Sequence, residues 1–227
     1  VATAEKMSAE RAFVSIYDAA TLRRRKTLQH PDMLSSEIVY VAFSADSKVC
    51  LTQGGGPDWL LVVWSFDRTA KPVATYKMSS ASVYQADFSP HDSSLICASG
   101  DGMLKFLRVA EGQLKTVQHN LKREPQNYTC HCWLPEDRFV VATDTGDIYL
   151  FEGFEFRSCL QRPLKTTPSA PSNQDNAAAS QAVAAPVTTI NIDPSDSINS
   201  IMAFSKGFVC GCANGVLCVF ERSEDDP

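Results

Sequence analysis

The sequence predicts an all-β fold, a β-propeller of small antiparallel sheets stacked around an axis, and three observations predict it. Apolar and polar residues alternate over runs of five to seven positions, punctuated by Gly, Asp and Pro, with no 3.6-residue apolar stripe longer than two turns. One order of residue types recurs along the chain. A single twisted sheet of four short strands has two apolar faces that it cannot bury alone, so neighbouring units must stack face to face.

The chain begins inside a unit, with a strand at Phe13 to Tyr17 and another near Arg25 to Gln29. The first complete unit places its strands at 38–44, 48–53, 59–65 and 73–77. Phe43-Ser-Ala-Asp46 closes its first apolar run, as Phe88-Ser-Pro-His-Asp92 and Trp133-Leu-Pro-Glu-Asp137 close the corresponding runs further on. Each is followed by a short apolar strand: Val49 to Thr52, Leu95 to Ser99, Phe139 to Thr143. Tight turns follow at Asp101-Gly102, Thr145-Gly146 and Asn214-Gly215, where the second residue must accept a positive φ. The next strand then alternates up to a bulky residue five places after the glycine: Leu107, Phe151 and Phe220.

Those closing residues set the period. Tyr17 to Trp64 is 47 residues, Trp64 to Leu107 is 43 and Leu107 to Phe151 is 44, against roughly 40–45 for a WD40-type blade. The next interval, Phe151 to Phe220, is 69, so about 25 residues are inserted. Residues 163–197 hold them, rich in Pro, Ala, Ser, Thr, Asn and Gln, and are expected to form a disordered or flexible loop, tolerated because closing a longer surface loop costs little entropy. The organisation is then blades over 1–162, the loop over 163–197 and a further incomplete blade over 198–227. Seventeen strands result, too few for a seven-bladed ring, which predicts part of a larger propeller; the alternative is a small ring closed by the N-terminal strands on the last unit.

With 44% hydrophobic and 21% charged residues the composition is that of an ordinary globular domain. A net charge of -5 argues against a nucleic-acid partner, and no apolar stretch approaches the 18 or so residues of a membrane helix. Val1 to Glu10 lacks the apolar core of a secretion signal, and eight cysteines set within apolar runs read as buried thiols of a reducing compartment. An intracellular chain is therefore expected.

Few residues invite chemistry. Cys130-His-Cys132 on a strand sends its cysteines to one face and His131 to the other, so the three do not converge on a metal. Cys210-Gly-Cys212 has the same spacing, with Cys210 in the register of Cys97 and Val141, and reads as core. His30, His91, His119 and His131 sit in no nucleophile motif, and Gly54-Gly-Gly-Pro57 lacks the Lys and helix of a phosphate loop. No enzyme activity, metal, cofactor or small-molecule substrate is expected.

Several segments carry a more specific resemblance. Ile16-Tyr17 followed by Leu22-Arg-Arg-Arg-Lys26, Val83-Tyr-Gln-Ala-Asp-Phe-Ser-Pro90, Gly102-Met103 with Leu107-Arg108 and Ala110-Glu-Gly112, Glu124-Pro-Gln-Asn-Tyr128, Ala142-Thr-Asp-Thr-Gly146, Tyr149-Leu-Phe-Glu152 and Ser205-Lys-Gly-Phe208 resemble, in order, the large WD-repeat proteins of motile cilia. The resemblance implies an N-terminal propeller piece of an axonemal scaffold in the cilium or flagellum, with a coiled coil downstream, that helps anchor or regulate inner dynein arms. The units depart from the common WD40 pattern in mostly lacking its Gly-His and Trp-Asp pairs; Tyr17-Asp18 is the nearest ending. These units are therefore expected to rely more on apolar packing than on the usual buried polar tetrad.

Arg23, Arg24, Arg25 and Lys26 form the strongest local charge cluster. Clustered cations suit an acidic partner such as tubulin tails, whereas on an outermost strand the same charges discourage edge-to-edge aggregation.

Overall fold

Period-two alternation yields sheets throughout, with no helix among the described residues. The structure is a computed structural model, and it describes residues 1–5, 11–66, 70–78, 81–121, 123–160, 197–213 and 215–222. The insertion expected over 163–197 lies outside them apart from Ser197, as does Asn214 of the last turn.

Five antiparallel meanders follow one another. Sheet one holds β1 (Ala2–Glu5), β2 (Phe13–Tyr17) and β3 (Arg24–Leu28). Sheet two holds β4 (Ile38–Phe43), β5 (Val49–Gly54), β6 (Leu60–Ser65) and β7 (Lys71–Lys77). Sheet three holds β8 (Val83–Phe88), β9 (Leu95–Gly100), β10 (Met103–Ala110) and β11 (Gln113–Val117). Sheet four holds β12 (Tyr128–Leu134), β13 (Arg138–Thr143), β14 (Ile148–Glu152) and β15 (Glu155–Leu160). Sheet five holds β16 (Ile198–Phe204), β17 (Gly207–Cys212) and β18 (Leu217–Glu221). Among the described residues eighteen strands replace the seventeen expected. The extra one is β1, four exposed or half-buried residues without a bulky side chain, held in the sheet by backbone pairing along Phe13 to Ile16 of β2.

The stacking is sequential. The first strands of successive sheets touch, β4 on β8 and β12 on β16, and β1 meets β4 as β5 meets β8 and β13 meets β16. β1, the edge of its three-stranded sheet, thus takes the place that the second strand holds in the four-stranded sheets. Sheets one and five do not pair with each other among the described residues, so the small closed ring weighed from the sequence is not formed. Each of the four inner strands slips register at the same place, at Ile38/Tyr40, Val83/Gln85, Tyr128/Cys130 and Ile198/Ser200, and such bulges add local twist.

Alternation sends each middle sheet's side chains into two cores. Cys50, Val62 and Trp64 face sheet one, while Leu51, Leu61 and Val63 meet Val83, Ile96 and Leu107 of sheet three. Cys97 and Phe106 meet Phe139, Val141 and Tyr149, and Val140 and Ala142 turn the other way onto Phe208 and Cys210. Each fully buried side chain of this size contributes about 1.5–3 kcal/mol, which is what holds sheets together that share few hydrogen bonds. Turn glycines take positive φ as expected, +59° at Gly102, +85° at Gly146 and +81° at Gly215. Gly100 is needed for a different reason, since a Cβ there would lie 2.0 Å from the carbonyl oxygen of Ser82.

Candidate functional site

The basic cluster lies on sheet one's outermost strand, and the structure divides it. Arg25 closes on Asp18, Nη2 to Oδ2 at 2.8 Å, while Asp18 Oδ1 accepts the N–H groups of Ala20 and Thr21. The Arg25 guanidinium, with these turn hydrogen bonds, holds the Asp18 carboxyl well below the usual carboxylate range. Lys26 lies over the Phe66 ring, 5.4 Å from its centroid. Arg23 and Arg24 are exposed and make no ion pair among the described residues. Only these two of the four are left to meet a partner; Arg25 and Lys26 hold the hairpin and the neighbouring sheet.

A buried polar network crosses from sheet three to sheet four. His131 is fully buried; its Nε2 lies 2.9 Å from Asp87 Oδ1 and its Nδ1 2.8 Å from Ser99 Oγ. Trp133 Nε1 donates to the same carboxylate oxygen at 3.0 Å, and Gln85 Nε2 donates to Asp87 Oδ2 at 2.8 Å. Gln85 also clasps the His131 backbone, its Oε1 accepting the N–H and its Nε2 donating to the carbonyl, both at 3.0 Å. Burial opposes ionisation of Asp87, but His131 and the other two donors, Gln85 and Trp133, outweigh it and hold the carboxyl below its ordinary value. Ser99, His131 and Asp87 have the residue types of a hydrolytic triad, yet Ser99 and His131 are closed to solvent and any substrate. Here they act as a clamp between sheets.

A second polar arrangement lies in sheet two, alongside its apolar packing. Trp64 Nε1 donates to Thr52 Oγ1 at 2.9 Å, and His30 packs edge-on to the Trp64 ring at 6.1 Å. Asp58, buried in the hairpin turn that follows Gly54-Gly-Gly-Pro57, accepts the Leu34 N–H at 2.8 Å. Sheet two therefore keeps much of a Trp, Thr, His and Asp arrangement. The sequence concealed it because His30 stands far ahead of its partners and without a preceding glycine.

Seven of the eight cysteines are buried and Cys159 half-buried, all as free thiols. Cys130 and Cys132 face sheet five while His131 faces sheet three. Cys210 pairs with Ile201 as Val141 pairs with His131 and Ala98 with Ala86, so its counterpart in sheet three is Ala98, one residue from the Cys97 expected. Sequence spacing missed Cys218, which the β17–β18 register sets directly opposite Cys210.

An open cleft of about 430 Å³ lies where sheets three and four meet, lined among others by Asp101, Lys105, His119, Arg123 and Tyr128. The Arg123 guanidinium rests 5.1 Å from both the Tyr149 and Phe156 rings, and burial lowers the His119 pKa.

Antiparallel meanders of three or four strands, stacked in order with bulged inner strands, define a WD40-repeat β-propeller. The family model described as WD domain, G-beta repeat matches residues 70–106. The Cps50 (Swd1) β-propeller domain of Myceliophteria thermophila superposes with a TM-score of 0.66 at 13% identity, over 95% of this chain and 63% of that one. In sequence, the chain is 34% identical over 95% of its length to cilia- and flagella-associated protein 57 of Mus musculus, of which it covers 19%. Cilia- and flagella-associated protein 57 A of Tetrahymena thermophila is 26% identical over 74% of the chain, which covers 12% of that protein, and cilia- and flagella-associated protein 44 of Trypanosoma brucei brucei is 30% identical over 54%, with 7% covered. The chain is a WD40-repeat homologue of cilia- and flagella-associated protein 57, spanning about a fifth of the mouse protein's length.

Proposed function

We propose that this chain is a non-enzymatic protein-interaction scaffold of the ciliary or flagellar axoneme, which helps anchor or regulate inner dynein arms through its propeller rims. The observation that carries the reading is similarity along 95% of the chain to a cilia- and flagella-associated protein. Stacked sheets support it physically, because a rigid core holds the connecting loops in fixed positions for docking. The same proposal assigns the five sheets to a larger, seven-bladed ring: Met202, Leu217 and Val219, 65%, 62% and 62% exposed, leave an apolar face of sheet five for a further blade.

Fractionation of ciliated cells tests the location. The protein should remain with axonemes after detergent and salt extraction, and complete release into the soluble fraction overturns the proposal. Tubulin is a candidate partner through Arg23 and Arg24. Changing both to Ser should weaken co-sedimentation with microtubules and leave folding intact; unchanged sedimentation removes tubulin from the reading.

A further inference from the structure

Five of the eight cysteines gather at one interface, between sheets four and five: Cys130 and Cys132 on β12, Cys210 and Cys212 on β17, and Cys218 on β18. The sulfur atoms of Cys210, Cys212 and Cys218 all lie within 4.8 Å of one another. The fold does not require sulfur at these positions. By register, the counterparts of Cys210, Cys218 and Cys212 are Thr52, Val62 and Gly54 in sheet two. In sheet three they are Ala98, Lys105 and Gly100, and in sheet four Val141, Tyr149 and Thr143. Only the last sheet turns all three to cysteine, and it does so opposite two further thiols.

We propose that Cys210, Cys212 and Cys218 form a binding site for one soft, thiophilic d10 cation such as zinc, with Cys130 of the facing sheet as the fourth sulfur. Thiolates select this class of ion, and zinc takes four of them tetrahedrally at about 2.3 Å. Sulfurs so arranged stand roughly 3.8 Å apart, so side-chain rotation closes the present spacing without moving the strands. Alternation on β17 and the cross-strand pairing of Cys210 with Cys218 aim all three side chains at sheet four. Burial pushes the Cys210 thiol up to about 12, and Cys218 and Cys212 push the same way. Thiols bind such an ion as thiolates, so each ligand gives up its proton to the solvent when the cation arrives. Bound there, the ion would join sheet five to sheet four across the core.

The test uses the complete protein, purified under reducing conditions, loaded with zinc alone and dialysed before the metal is counted. One equivalent should be retained by the wild type and by Cys50→Ala, a buried thiol of another interface, and lost by Cys210→Ala and Cys218→Ala. A folded wild type that keeps no zinc, or variants that keep it as well as the wild type, would overturn the proposal. Cobalt loading of the unaltered protein gives a readout independent of whether the variants fold. A thiolate-to-cobalt charge-transfer band is expected, and its absence is equally fatal.

Discussion

Replacing Asp87 by Ala removes the carboxylate on which His131 Nε2, Trp133 Nε1 and Gln85 Nε2 converge at 2.9, 3.0 and 2.8 Å. His131 suffers most, because it is fully buried and no water takes the lost acceptor's place. A buried donor left unsatisfied costs about 1–3 kcal/mol. Trp133 is only half-buried and Gln85 keeps its bonds to the His131 backbone, so these two add less, and the total comes to about 2–4 kcal/mol. Equilibrium urea unfolding measures it as a drop in midpoint at constant slope. Asp87→Asn, which retains an acceptor oxygen, should lose about half as much or less. The pH dependence follows in sign. Asp87 is held below its ordinary value in the fold, so its stabilisation is present above the unfolded pKa of about 3.9 and is lost as pH falls through the lower folded value. Asp87→Ala should flatten that part of the acid-unfolding profile. A midpoint for Asp87→Ala within about 0.5 kcal/mol of wild type would refute the clamp.

Phe106→Ala empties a position ringed by Phe139, Phe154, Trp133 and Phe151, all edge-on at 5.0–6.4 Å, and should cost about 3–5 kcal/mol in the same unfolding assay. Gly100→Ala sets a Cβ against the Ser82 carbonyl, so β8 and β9 must part; a loss of about 3 kcal/mol or more, or insoluble expression, is expected. Gly102→Ala, where a Cβ meets nothing within 4 Å, should cost less, only the strain of its +59° φ. Trp64→Phe keeps the ring contact with His30 but drops the bond to Thr52, for a loss of about 1 kcal/mol by thermal or urea unfolding.

Much of this architecture was legible in the sequence because the period-two pattern and the turn glycines are local signals. β4 to β7 fall within two residues of their expected limits, and Gly102, Gly146 and Gly215 take the backbone angles their turns demand. What stayed hidden depends on contacts distant in sequence. β1 is a strand because it pairs with β2, and no apolar alternation of its own marks it. Asp87 and His131 stand 44 residues apart, and nothing in either neighbourhood announces the other. The basic cluster was visible as charge, but its division was not, since it turns on Asp18 and Phe66 occupying particular places. Cys218 escaped for a related reason, because spacing along one strand says nothing about what a hairpin register lays beside it.

Gln85 presents its carboxamide to the N–H and the carbonyl of a single residue on the adjoining blade. In doing so it imitates a peptide group, reading main chain beside the side-chain contacts of Asp87, His131 and Trp133. Oily surfaces tolerate sliding, whereas two antiparallel dipoles at 3.0 Å accept one alignment only. One glutamine thereby pins the alignment of these two blades at their seam.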